Sequence, residues 1–266
     1  MSDNRPIGVF DSGVGGLTVV KSLMDILPRE NIIYFGDIAR IPYGTKSQAT
    51  IQKFAAETAR FLIQKDVKAI IIACNTISAV AKDIVKEIAG EIPVIDVIST
   101  GVSSVADNLN IGVIATPATI NSNAYTDQIN QLYPKSKVFT QACGLFVSMI
   151  EEGFVDGEIV ELIAKEYLGY FEDKSLDCLI LGCTHYPMIK SSITKVLKDV
   201  TLIDPSQQAV KILMQLLASQ RILNDGVCSS PKYKFYVTDI PLKFKLVGEI
   251  FLHAKMTDLE MVSLDG

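Results

Sequence analysis

The chain has 266 residues, of which 48 % are hydrophobic and 21 % charged, and 25 basic against 30 acidic side chains give a formal net charge of −5. This is the balance of a folded globular chain; it excludes disorder, which needs fewer apolar residues and more net charge, and a partner held by general attraction to nucleic-acid phosphates. Five cysteines without a C-x-x-C pair, and only two histidines, argue against a disulfide framework and a zinc site.

No apolar run reaches the roughly 18 residues of a membrane span. The polar start 1–6 lacks the basic-then-apolar pattern of a secretory signal, so a cytoplasmic location is expected. In chain order, a short apolar strand at 7–10 precedes a helical pattern at 17–26. Strand 32–35 leads to helix 49–64, strand 69–73 to helix 78–88, and strand 93–95 follows. The alternation then restarts with strand 111–115 and helices 122–132 and 158–170. Strand 179–181, helix 188–197, strand 202–203 and helix 207–217 come next. A strand-like run at 233–238 and an amphipathic helix from Pro241 close the chain. Continuously apolar strands are buried on both faces, and strands alternating with helices predict α/β architecture built on parallel sheets.

The chain also resembles itself. Ile7-Gly8-Val9-Phe10-Asp11 recurs as Ile111-Gly112-Val113-Ile114-Ala115, and Ala73-Cys74-Asn75-Thr76 as Gly182-Cys183-Thr184-His185. Pro93-Val94-Ile95-Asp96 recurs as Thr201-Leu202-Ile203-Asp204. Three motifs in one order at nearly constant spacing predict a duplicated unit. The expectation is two pseudo-symmetric lobes, each a mostly parallel sheet flanked by helices, with the active site in the cleft between them. The first lobe is 1–97 plus 208–266, the second 98–207.

Ligands of open α/β sheets bind beyond the carboxyl ends of the strands. Asp11-Ser12-Gly13-Val14-Gly15-Gly16 is a turn that offers backbone N–H groups to an anion, either a phosphate or a small carboxylate. Its spacing matches neither the dinucleotide fingerprint nor the P-loop. Cys74 and Cys183 occupy equivalent strand ends, where two facing thiols permit three chemistries: a redox disulfide, a soft-metal site, or acid and base on opposite faces of one small substrate. His185, two residues beyond Cys183, is placed to favour the thiolate as an imidazolium. Asp11 is placed near Cys74 as a proton relay or as a partner for a substrate ammonium. In the loop Asp37-Ile38-Ala39-Arg40-Ile41-Pro42-Tyr43-Gly44, Tyr43 and Gly44 can present a phenol and a backbone N–H to a carboxylate. Cys143, Cys178 and Cys228 lack such placement and read as structural. Glu151-Glu152-Gly153 reads as a helix end.

Four of these motifs, in order, resemble those of the bacterial glutamate racemases, a branch of a family that includes aspartate and hydantoin racemases. They are Asp11-Ser12-Gly13-Val14-Gly15-Gly16-Leu17-Thr18, Pro42-Tyr43-Gly44, Ala73-Cys74-Asn75-Thr76 and Gly182-Cys183-Thr184-His185-Tyr186-Pro187. Thr116-Pro117-Ala118-Thr119 is similar to a threonine-rich turn of the same family. The resemblance runs from about residue 6 to 210. It implies interconversion of L- and D-glutamate without cofactor or metal, supplying D-glutamate for peptidoglycan. It implies Cys74 and Cys183 as the proton-transfer residues, Asp11 and His185 as their assistants, and an acid near the second cysteine, matched by Glu151 in preference to Glu152. It implies substrate contacts at Ser12, Tyr43, Gly44, Asn75, Thr76 and Thr184, along with Asp11 and His185. No nucleic-acid or membrane partner is expected, and the assembly is expected to be a homodimer. A racemase for aspartate or another amino acid on the same scaffold, and a non-catalytic amino-acid sensor, are the competing readings.

Overall fold

The computed structural model of the chain describes residues 3–225, 230–240 and 242–264. The first half runs β1 (Ile7–Asp11), α1 (Leu17–Ile26), β2 (Ile32–Gly36), two short 3-10 turns (Ile38–Arg40 and Tyr43–Thr45), α2 (Gln48–Gln64), β3 (Ala69–Ile72), α3 (Asn75–Val80), α4 (Lys82–Ala89), β4 (Val94–Asp96) and α5 (Val97–Val102). The second runs β5 (Asn110–Ala115), α6 (Pro117–Asn121), α7 (Ala124–Leu132), β6 (Lys137–Ala142), α8 (Gly144–Glu151), α9 (Glu158–Leu168), β7 (Cys178–Gly182), α10 (Lys190–Val196) and β8 (Thr201–Ile203). Then come α11 (Pro205–Ser219), β9 (Tyr233–Val237), α12 (Leu242–Leu252) and β10 (Leu259–Met261).

Two sheets result. One is ordered β10-β9-β2-β1-β3-β4, the other β6-β5-β7-β8, and every pairing among the described residues is parallel. The order β2-β1-β3-β4 is repeated as β6-β5-β7-β8, so the internal sequence similarity corresponds to equivalent strand positions. Register follows the repeat: Ile7 lies beside Ala69 in the first sheet and Ile111 beside Cys178 in the second. Both sheets reverse direction of winding at equivalent places, between β1 and β3 in the first and between β5 and β7 in the second. Such a switch point opens a crevice at the carboxyl ends of the strands. It places Asp11 and Cys74 together in one lobe, and Thr116 and Cys183 together in the other.

Strand side chains alternate between two buried faces. In the first sheet Ile7, Val9 and Ile71 point into one apolar cluster while Phe10, Ile70 and Ile72 point into another. In the second, Leu179 and Leu181 join the first of these clusters and Ile180 a third. One continuous core therefore runs from the first sheet through α1 and α11 to Phe146, Tyr186 and the second sheet. Helix α11 is held at this junction: Thr100 Oγ1 donates to the Pro205 carbonyl at 3.3 Å, and Thr18 Oγ1 lies 3.4 Å from Ser206 Oγ.

Several elements differ from their sequence patterns for local reasons. The helix expected at 78–88 starts earlier and is broken at Ala81, because Gln52 Nε2 takes the Val80 carbonyl at 2.9 Å and relieves it of a helical partner. The helix expected at 122–132 is α7, which starts after Asn123, whose φ of 57° is left-handed, and a further short helix, α6, precedes it. Strand β6 went unread because it lies at an edge and its residues are only half covered, which suppresses the continuous apolar run. At the C-terminus β9 pairs with β2 and β10 with β9, extending the first sheet. Pro241 and Cys228 lie outside the described residues. No helix among the described residues is long and apolar enough to cross a membrane.

Candidate active site

A cavity of about 500 Å³ opens between the carboxyl ends of the two sheets. All eleven residues singled out from the sequence line it: Asp11, Ser12, Tyr43, Gly44, Cys74, Asn75, Thr76, Glu151, Cys183, Thr184 and His185. It is large enough to hold one small metabolite.

Cys74 is the residue before α3, and its sulfur lies 3.6 Å from Ser12 Oγ. Burial first, then the charge of Asp11, pushes its thiol up to about 12, against the pull of the Ile77 N–H and the Ser12 hydroxyl. The Cys74 thiol thus keeps its proton at neutral pH. Cys74 and Cys183 line the same cavity. Asp11 is buried, and burial raises its carboxyl above the ordinary range. The charge on His185 and the Gly16 and Gly13 N–H groups act in the opposite sense. Gly16 N donates to Asp11 Oδ2 at 2.7 Å, whereas Oδ1 is buried with no hydrogen-bond partner among the described residues. A buried acceptor left open in this way costs free energy until a donor arrives.

The opposite side is built differently. Cys183 Sγ lies 3.7 Å from His185 Nδ1, and His185 Nε2 lies 3.0 Å from Glu151 Oε1. Burial opposes charge on the imidazole, but the contacts with Cys183 and Glu151 outweigh it and raise His185 to about 10. Phe251 of α12 meets the imidazole ring edge-on at 5.6 Å. One thiol therefore faces a cation and the other an acid. Because the folded value of His185 lies above its ordinary 6.5, the stability it contributes is complete below that pH and is lost as pH rises through about 10. The difference in thermal midpoint between the wild type and His185→Asn should accordingly narrow between those limits. A difference independent of pH would show that the charge is not held there.

The remaining walls supply hydrogen-bond donors. Tyr125 Oη donates to Asn75 Oδ1 at 2.7 Å, which leaves the Asn75 amino group as the donor toward the cavity. The hydroxyls of Thr76, Thr116 and Thr119 lie within 3.0–3.4 Å of one another and join α3 of one lobe to α6 of the other. Thr18 Oγ1 donates to the Thr184 carbonyl at 3.2 Å. Tyr43 lines the cavity, but its phenol proton goes to Asp37 rather than to the site as the sequence suggested.

The Glu151-Glu152-Gly153 motif alone does not separate its two acids. Glu151 is the one that touches His185. Gly144, Val147, Ser148 and Glu151 of α8 all line the cavity at positions i, i+3, i+4 and i+7, one helical face. That spacing is the signal in the sequence that sets Glu151 apart from Glu152. Thr116 and Pro117 line the cavity as well, from the threonine-rich turn.

Residues 7–213 match the family described as Asp/Glu/Hydantoin racemase. The chain belongs to this family and is an enzyme of the isomerase class. It is 48 % identical over 263 residues to a glutamate racemase of Neisseria meningitidis serogroup C, covering 98 % of this chain and 97 % of the relative. It is 47 % identical over 264 residues to a glutamate racemase of Syntrophus aciditrophicus, with the same coverage. Among solved structures, the glutamate racemase of Francisella tularensis in complex with D-glutamate is 71 % identical, covers 99 % of both chains and superposes with a TM-score of 0.94.

Proposed function

We propose that the chain interconverts L- and D-glutamate without a cofactor, by proton transfer between two cysteines at the α-carbon. The observation that carries this reading is that Cys74 and Cys183, from equivalent strand ends of the two lobes, line one cavity of about 500 Å³. Racemisation removes the Cα proton from one face and returns a proton to the other, and a single base on one face returns the proton where it came from. Two thiols solve this geometrically.

One thiolate abstracts the Cα proton while the thiol on the opposite face donates one, and the roles exchange in the reverse direction. Negative charge at Cys183 is countered by His185, which Glu151 orients through its other ring nitrogen. Asp11, buried beside Cys74 with one oxygen open, relays the proton on that side or receives the substrate ammonium. The carbanion that develops at Cα is stabilised by preorganised donors around the α-carboxylate: the Asn75 amino group, the Thr76 and Thr184 hydroxyls and backbone N–H groups. Ser12 and the Tyr43-Gly44 segment complete the substrate cradle. Exclusion of water from the cavity by bound substrate strengthens these contacts.

This reading divides the chain into one lobe of 1–97 plus 208–266 and another of 98–207. With it come a cytoplasmic, homodimeric enzyme and a product that enters peptidoglycan. Chiral chromatography after incubation with L-glutamate should show D-glutamate, with aspartate turned over at least about 100-fold less well, since a shorter acid cannot reach both ends of the cradle at once. Equal turnover of aspartate, or no D-glutamate, contradicts the reading.

A further inference from the structure

The loop that carries Tyr43 and Gly44 to the cavity hangs on one buried carboxylate. Asp37 is 1 % exposed and stands just beyond β2. Its Oδ2 accepts from the Tyr43 phenol, and both of its oxygens accept from Arg40 Nε, at 2.9 and 2.7 Å. Arg40 is itself fixed by Glu57 and by stacking over the Phe54 ring at 3.9 Å. The remaining partner comes from far along the chain. Thr238, directly after β9, donates from Oγ1 to Asp37 Oδ1 at 2.9 Å and accepts at the same oxygen from the Ala39 N–H at 2.9 Å. Its own N–H donates to the Gly36 carbonyl at 3.1 Å.

We infer that Thr238 is a positioning residue for substrate binding, its hydroxyl fixing Asp37 and, through it, the Tyr43-Gly44 wall of the cavity. This rests on reading the cavity as the glutamate site. The hydroxyl has one proton and spends it on Asp37, while its lone pair holds the 3-10 turn Ile38–Arg40. It therefore pins both the carboxylate and the turn from which the loop departs. Valine has the same shape and can do neither. The thiols, Asp11 and His185 are carried by other elements, so the chemistry at Cα is left in place. The extension of the first sheet by β9 thus has a purpose at the site: it delivers this hydroxyl.

The test is steady-state kinetics on Thr238→Val and Thr238→Ser with glutamate in both directions, alongside wild type. In the valine variant KM for both enantiomers should rise about 3- to 10-fold, the scale of one hydrogen bond, with kcat within about twofold. The serine variant should return KM to within about twofold of wild type. Unchanged KM in Thr238→Val, equal loss of kcat and KM effects in both variants, or failure of serine to rescue overturns the inference. If the valine variant does not fold, the serine variant and Asp37→Asn carry the test: Asp37→Asn should raise KM while kcat is kept, and a fall in kcat alone overturns it. Wild-type chain that does not racemise glutamate contradicts the underlying reading instead, so the two failures are told apart by the wild-type arm.

Discussion

Cys74→Ser and Cys183→Ser should each reduce racemisation by roughly 10²–10⁴-fold or more, the range carried by a positioned acid or base. The argument is one of symmetry. Each thiol is the proton donor in one direction and the acceptor in the other, so removing either one stops both directions. Serine preserves shape and offers a hydroxyl in place of each thiol beside Ser12 and His185, and other bonds of the site do not involve the sulfur: Asn75 is held by Tyr125, and Gly16 by Asp11. Glutamate should therefore still bind and still raise the thermal midpoint of both variants. The measurement is initial-rate racemisation from each enantiomer beside a thermal-shift titration. Retained racemisation in either variant contradicts the assignment of that cysteine, and loss of the ligand-induced shift would point to a collapsed site instead.

Gly15→Ala should be nearly as damaging, although Gly15 carries no side chain. A Cβ placed there would stand 2.5 Å from His185 Nδ1 and 2.6 Å from His185 Cε1, and closer still to Thr184 Oγ1. These distances lie inside contact. The glycine lets the turn after β1 in one lobe approach the strand end of the other closely enough to share a cavity. An added methyl must push the imidazole off the Cys183 sulfur or open the lobes. Overpacking of this kind costs about 1–3 kcal/mol of stability. A displacement of about 1 Å at a reacting group costs on the order of 100-fold in rate. A melt and a kcat determination on the same preparation check both. A variant with wild-type kcat would mean that the lobes are not held at this contact.

The sequence carried much of the fold because buried parallel strands write themselves as short apolar runs. Those of β1, β3, β5 and β7 were all legible, and their ends named Asp11, Cys74 and Cys183. The repeat then allowed the two thiols to be compared as equivalents. What escaped was structure whose signal is not apolar. Strand β6 sits at an edge, half covered, and β10 has three residues. The break at Ala81 depends on Gln52, which is distant in sequence and carries no periodic mark. The site was legible where a residue follows a strand directly, and illegible where it depends on a partner elsewhere. Glu151 is marked off from Glu152 by its helical spacing from Gly144, Val147 and Ser148, but that spacing gains meaning only beside the imidazole that Glu151 touches. The phenol of Tyr43 was given to the substrate because the buried Asp37 that takes its proton could not be seen from the loop alone. Thr238 lies some two hundred positions from the carboxylate it holds.

The claim underlying the whole account is that hydrogen leaves one face of Cα and a different hydrogen arrives at the other. It is tested most directly by running the conversion of protiated L-glutamate in heavy water and stopping it after a few per cent turnover. Mass analysis of the separated enantiomers should find deuterium at Cα in essentially every molecule of D-glutamate, while the unconverted L-glutamate remains largely protiated. D-glutamate that keeps the hydrogen of its parent would mean a single group carries the proton across, and the two-thiol site would not be the machine that moves it.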